Sequence, residues 1–190
     1  MDQVTPYKMK TALVIIDIQN DYFPGGNNEL VNSGDASLKA RQLLNAFREK
    51  DLPVIHIQHL SVRPGAGFFI PGTKGAAIHD NVLPLENEKV FTKNFPNSFR
   101  DTGLLNYLQQ MEIEHLVIAG MMSHMCVDAT ARAAKDLGYS ISIASDACAT
   151  KDLVIENNTV KANDVHNSFM AALSYFYADV RHTHELIKQL

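Results

Sequence analysis

The chain has no tryptophan, only two cysteines, and no apolar run longer than a handful of residues. Its longest such runs, of which Leu13-Val14-Ile15-Ile16 is typical, are too short to cross a bilayer as a helix, so no membrane partner is expected. Cys126 and Cys148 are too few for a disulfide framework and lack the CxxC spacing of a zinc knuckle or redox pair. Any cysteine chemistry therefore comes from a single thiol. Charge is sparse and mixed: 17 basic against 21 acidic residues give net −4, with no dense Lys/Arg tract. That argues against nucleic acid as a partner. The first ten residues lack an apolar signal-peptide core, so a cytoplasmic location is expected. No GxGxxG follows the first apolar run, and Gly72-Thr73-Lys74-Gly75 lacks the GxxxxGK[ST] pattern. His59, His79, His124 and His166 form neither HxH nor HExxH spacing, so neither a cofactor nor a metal is expected.

What is present is enough apolar residue, 46% of 190, for one sizeable core, and one domain spanning 1–190 is the reading. Short β-branched runs alternate with helical periodicity. Strands are expected at Thr11–Ile16, Pro53–Gln58, Lys89–Thr92, His115–Ala119 and Ser140–Ala144, with a short sixth near Val180. Helices are expected over 35–50, from Asp101, over 124–137, over 164–177 and from Thr183. Gly138 supplies a stop for the third of these. The strands are continuously apolar rather than alternating. That predicts a six-stranded, mainly parallel sheet in an α/β fold with helices on both faces. Residues 61–87 make a long glycine- and proline-bearing loop, a length that usually serves function.

In open parallel sheets ligands sit beyond the carboxyl ends of the strands. That rule selects Asp17, Gln58, His59, Lys93 and the segment Gly120–Cys126. Cys126 follows the fourth strand across a short loop and opens a helix. Exposed N–H groups and the helix dipole there lower a thiol's pKa and can hold an oxyanion. Asp17 emerges from four apolar residues, poorly solvated, which suits a general base. Lys93 ends the third strand and could pair with Asp17. For each the bland alternative stays open: a small buried thiol, a turn cap, a solvated lysine. His56, between two isoleucines, reads as a core residue, and Cys148 as packing.

Four segments together resemble the isochorismatase-like cysteine hydrolases: Asp17-Ile18-Gln19-Asn20-Asp21, Lys93-Asn94-Phe95-Pro96-Asn97-Ser98-Phe99, Gly120-Met121-Met122-Ser123-His124-Met125-Cys126-Val127 and Ser145-Asp146-Ala147-Cys148-Ala149. Pro71-Gly72-Thr73-Lys74-Gly75 is similar as well, and the likeness runs over roughly residues 11–180. The resemblance implies a six-stranded parallel sheet, a homodimer or homotetramer, and an Asp–Lys–Cys triad at Asp17, Lys93 and Cys126. It also implies a cis Met121–Met122 peptide, with the Met122 and Cys126 N–H groups as oxyanion hole. The nicotinamidase branch binds a metal through an Asp-x-His pair and a further His. The matching positions here are His59, Ser61 and Phe68, so that site is not expected. True isochorismatases lack the cysteine, which is present here. The expected activity is therefore hydrolysis of a C–N bond in a small amide, ureide or carbamoyl substrate through a thioester. Phe23, Gln58, His59 and His124 are expected to line the pocket. The alternatives are an isochorismatase-type vinyl-ether hydrolase and a catalytically silent binding protein of the same fold.

Overall fold

A computed structural model describes residues 9–190. Six strands form one parallel sheet in the order β3-β2-β1-β4-β5-β8. They are β1 (Thr11–Ile16), β2 (Val54–His59), β3 (Lys89–Lys93), β4 (His115–Met121), β5 (Ser140–Ala149) and β8 (Asp179–Arg181). The expected α/β architecture is observed. β1 sits centrally, and its side chains alternate between two cores. Leu13 and Ile15 join a cluster with Ala40, Leu43 and Phe47 of α1 (Ser33–Glu49) and Leu186 of α5 (Thr183–Gln189). Ala12, Val14 and Ile16 join the opposite cluster, with Leu104 and Leu108 of α2 (Leu104–Gln110), Ala131 of α3 (Asp128–Asp136) and Leu173 of α4 (Ala162–Phe176). A strand buried on both faces has no polar side, which is why its sequence reads as an uninterrupted apolar run. No helix among the described residues is long and apolar enough to cross a membrane.

Three elements depart from the expectation. β5 continues past Ala144 to Ala149, its register with β4 shifting between Ile118 and Gly120. Ser145 and Asp146 look like strand-ending residues in sequence. In the fold the Ser145 hydroxyl donates to Arg181 O, and Asp146 accepts from the Thr183 N–H at 2.7 Å, tying β8 and the start of α5 to β5. β6 (Leu153–Ile155) and β7 (Asn158–Val160) form an antiparallel hairpin outside the sheet, turning at Glu156, which has φ +53°. Finally, the helix expected over 124–137 divides into a π-helical turn, Ser123–Val127, followed by α3.

Gly120 fixes how the tip of β4 meets the tip of β1. Its φ is +143°, and a Cβ there would strike the Ile16 backbone. Only glycine allows this approach, and it brings the loop after β4 beside the residue that follows Ile16. The far end of the 61–87 loop is anchored by Glu88. Its carboxylate accepts from Arg48 Nε at 2.7 Å and from the Leu85 N–H at 2.8 Å, and it lies 3.0 Å from His56 Nε2. Burial alone would raise the Glu88 pKa, but these hydrogen bonds pull it down to about 2. His56 is thus a satisfied interior residue at its Nε2, as its sequence setting suggests.

Candidate active site

Four adjacent strands deliver one residue each to the carboxyl edge of the sheet. Asp17 follows β1 in a left-handed conformation, φ +51°, its N–H donating to Ile57 O at 3.0 Å. That turn carries its carboxylate across the strand ends, where it is fully buried. His59 and Lys93 end β2 and β3. β3 is a largely exposed edge strand, yet its last side chain is turned inward and only 1% exposed. Cys126 arrives from the π-helical turn beyond β4, also buried.

The Lys93 ammonium is the centre of the cluster. It lies 2.7 Å from Asp17 Oδ2, and 3.1 Å each from Cys126 Sγ, His59 Nδ1 and Phe95 O. Among the described residues no donor reaches either Asp17 oxygen with normal hydrogen-bond geometry, and the contact with Lys93 is an ion pair. Burial opposes the charge on Lys93, but the neighbouring Asp17 and Cys126 outweigh it and hold the lysine pKa above its ordinary value. The expected lowering of the Cys126 pKa is not what the site produces. Burial, reinforced by the Asp17 carboxylate, pushes the thiol well above its usual range, against the opposing pull of Lys93. Cys126 lies in the π-helical turn ahead of α3, and there burial beside Asp17 outweighs what favours a thiolate. That direction favours the protonated thiol of Cys126 beside Asp17 and Lys93. Cys148 is separately buried and pushed up to about 12, chiefly by desolvation.

The peptide between Met121 and Met122 is cis, as the resemblance implied. No acceptor among the described residues takes the Met122 N–H. The expected pocket residues divide. His59 stands at the cluster. Gln58 instead donates through Nε2 to Ala76 O at 2.8 Å and so holds the 61–87 loop. His124 packs edge-on to Phe169, with Nδ1 2.6 Å from Thr150 Oγ1, bracing the loop before Cys126. Phe23 stacks on His79 with ring centroids 3.6 Å apart, and lines a surface cavity with Asn20, Lys74 and Asp80 rather than with the triad.

Its neighbour Tyr22 lies within reach of the cluster's charges. Burial, then the charges of Cys126, Asp17 and Asp21, raises the Tyr22 pKa and keeps its hydroxyl neutral. Its ring lies 4.6 Å from that of Phe69, which in turn lies 5.9 Å from His59. Phe69 is held at φ +57° by its N–H, which donates to Asp21 Oδ2 at 2.6 Å. A Cβ on Gly75 would collide with the same Asp21 carboxylate. Gln19 and Asp21, both inside the first motif segment, thus fasten the long loop over the strand tips. Their even spacing from Asp17 was the available signal. Phe69 carried none, because its placement depends on a loop conformation.

Over residues 11–182 the chain matches the isochorismatase domain. A relative from Bacillus subtilis, the uncharacterized isochorismatase family protein YddQ, is 49% identical over 180 residues, covering 95% of this chain and all of the relative. The chain belongs to the isochorismatase family. A solved structure described as an isochorismatase hydrolase from Oleispira antarctica superposes with a TM-score of 0.92 at 48% identity, over 96% of this chain and 98% of that one. A streptothricin hydrolase from Streptomyces noursei is 34% identical over 164 residues, 86% of this chain and 56% of the relative. Hydrolysis is the family's chemistry.

His59, Ser61 and Phe68 are the positions that the sequence resemblance sets against the nicotinamidase metal ligands. Ser61 is buried, its N–H donating to Phe69 O at 2.9 Å, and Phe68 packs on Tyr22 and Phe69. Asp17, His59 and Cys126 do gather donor atoms within 4.8 Å of one another. The cation they surround is the ammonium of Lys93, which touches all three.

Proposed function

We propose that this isochorismatase-family hydrolase cleaves the C–N bond of a small amide, ureide or carbamoyl compound, with Cys126 as nucleophile, Asp17 as general acid–base and Lys93 as fixed cation. The observation that carries this reading is the Lys93 ammonium, held between Asp17 Oδ2 at 2.7 Å and Cys126 Sγ at 3.1 Å in a buried cluster. The buried charge explains why the three act together. With a neutral thiol, the carboxylate and ammonium sum to zero. Losing the thiol proton to solvent leaves a net negative charge in a dry site, which is costly. Moving the proton from Sγ to Asp17 keeps the sum at zero, so the thiolate forms by internal transfer as substrate arrives.

The thiolate then attacks the carbonyl carbon. The oxyanion meets the Met122 and Cys126 N–H groups. As the C–N bond breaks, Asp17 returns its proton to the departing nitrogen, leaving a thioester on Cys126. Water, losing a proton to Asp17, adds to the thioester; the C–S bond breaks and the thiol re-forms. Lys93 sits beside both anions throughout. The same reading takes the chain as a homodimer or homotetramer. Exposed Val154, Ile155, Tyr175 and Phe176 are apolar surface that such a contact would cover.

The test is ammonia or amine release from a panel of small amides, ureides and carbamoyl compounds, with isochorismate as the contrasting substrate. Release from panel members, with isochorismate untouched, is the expected result. Turnover of isochorismate alone would replace this reading with vinyl-ether hydrolysis.

A further inference from the structure

We propose that His59 contacts the substrate directly, its Nε2–H donating a hydrogen bond to an acceptor adjacent to the scissile carbonyl, which selects amides carrying a second carbonyl or similar group at that position. This rests on the amide-hydrolase reading above and adds a specificity determinant to it.

Lys93 decides the histidine's tautomer. An ammonium has donors and no acceptor. His59 Nδ1, 3.1 Å from Lys93 Nζ, must therefore accept, and a neutral imidazole then carries its proton on Nε2. The ring stays neutral: burial disfavours its charge and Lys93 adds to that, with Arg63 in the same sense and Asp17 opposing. No group among the described residues accepts from Nε2, and the side chain is only half-buried. The result is a donor of fixed identity with an open partner position.

The backbone is fixed as firmly as the tautomer. Buried Gln19 grips His59 from both sides: its Oε1 accepts the His59 N–H at 2.8 Å and its Nε2 donates to His59 O at 2.9 Å. The same Nε2 donates to Ala76 O at 2.8 Å, so β1, β2 and the long loop meet at this point. Phe69 bounds the ring on another side, at 5.9 Å. One imidazole nitrogen lies within 4.8 Å of both the Cys126 sulfur and an Asp17 oxygen. The imidazole is therefore a close neighbour of the sulfur, and Nε2–H is the donor its ring has left for the α-substituent of a carbonyl held there. Such a fixed donor penalises a ligand with nothing to offer it, because the N–H loses its water unpaired.

Two amides of nearly equal shape separate this role from a structural one. Pyruvamide carries a carbonyl next to the amide; isobutyramide carries a methine there. In the Cys126→Ser protein, which binds without turning over, calorimetry is expected to give pyruvamide about tenfold tighter binding, the worth of one good hydrogen bond. Adding His59→Leu abolishes the preference. His59→Gln, which keeps an acceptor for Lys93 and a donor for the ligand, restores most of it. A purely structural histidine would weaken both amides alike. Equal affinities in the Cys126→Ser protein, or no binding of either amide, would overturn the proposal. Ammonia release by the unmodified enzyme is read separately. A pyruvamide preference without any hydrolysis condemns the amide-hydrolase reading and not the His59 contact. Hydrolysis of both amides with equal affinities does the reverse.

Discussion

Replacing Cys126 by serine is expected to lower amide turnover by about 10,000-fold or more, the scale seen when a covalent nucleophile is removed from a working set of groups. The reason is specific to this site. Asp17 is the carboxylate beside the reacting atom, and the proton transfer it accepts costs little for a thiol because the buried charge sum does not change. An alcohol is several powers of ten less acidic than a thiol, so the same internal transfer from serine is steeply uphill. The fold is expected to survive, since the two side chains differ by one atom and Lys93 keeps a hydrogen-bond acceptor in place of Cys126 Sγ. The check is ammonia release together with a thermal melt. A stable variant with ordinary turnover would mean that the sulfur is not the nucleophile.

Lys93→Met is expected to damage stability as well as turnover. The methionine matches the apolar stem of lysine but removes the cation. Asp17 is then a fully buried carboxyl group stripped of its counter-ion. Removing one member of a buried ion pair costs roughly 3–5 kcal/mol. Adding Asp17→Asn to Lys93→Met removes the stranded charge and is expected to recover much of that loss, while activity stays at background. The two single variants and the double variant form a cycle whose coupling should be far from zero, because the residues are in contact. Denaturant unfolding measures it. A Lys93→Met protein as stable as the parent would show that Asp17 and Lys93 do not face one another as buried charges.

Most of the fold was legible, because a β-strand buried on both faces reads as an apolar run: the interiors of β1 and β4 do, and β2 breaks its Val54–Ile57 run only at His56. The strand ends then located Asp17, His59 and Lys93 through the general rule for parallel sheets. The ionisation of Cys126 was not legible. The sequence shows a thiol before a helix, but burial beside Asp17 dominates, and that depends on how tightly Gly120 lets β4 approach β1. The choice between Tyr22 and Phe23 was equally hidden. Neighbouring side chains point different ways from a short 3₁₀ turn at Asn20–Tyr22, and nothing in the letters says which ring turns inward. Gln58 and His124 stand at strand tips as expected, yet both are occupied in holding loops. Position relative to the sheet can be read from sequence; hydrogen-bond partners supplied by a distant loop cannot.

Acid-quenched turnover followed by peptide mass spectrometry tests the covalent route most directly. The prediction is a mass increase equal to the substrate's acyl group on the Cys126 peptide, appearing while amide is being consumed and vanishing when it is exhausted, with Cys148 unmodified. Steady hydrolysis with Cys126 unmodified at every quench time would contradict it.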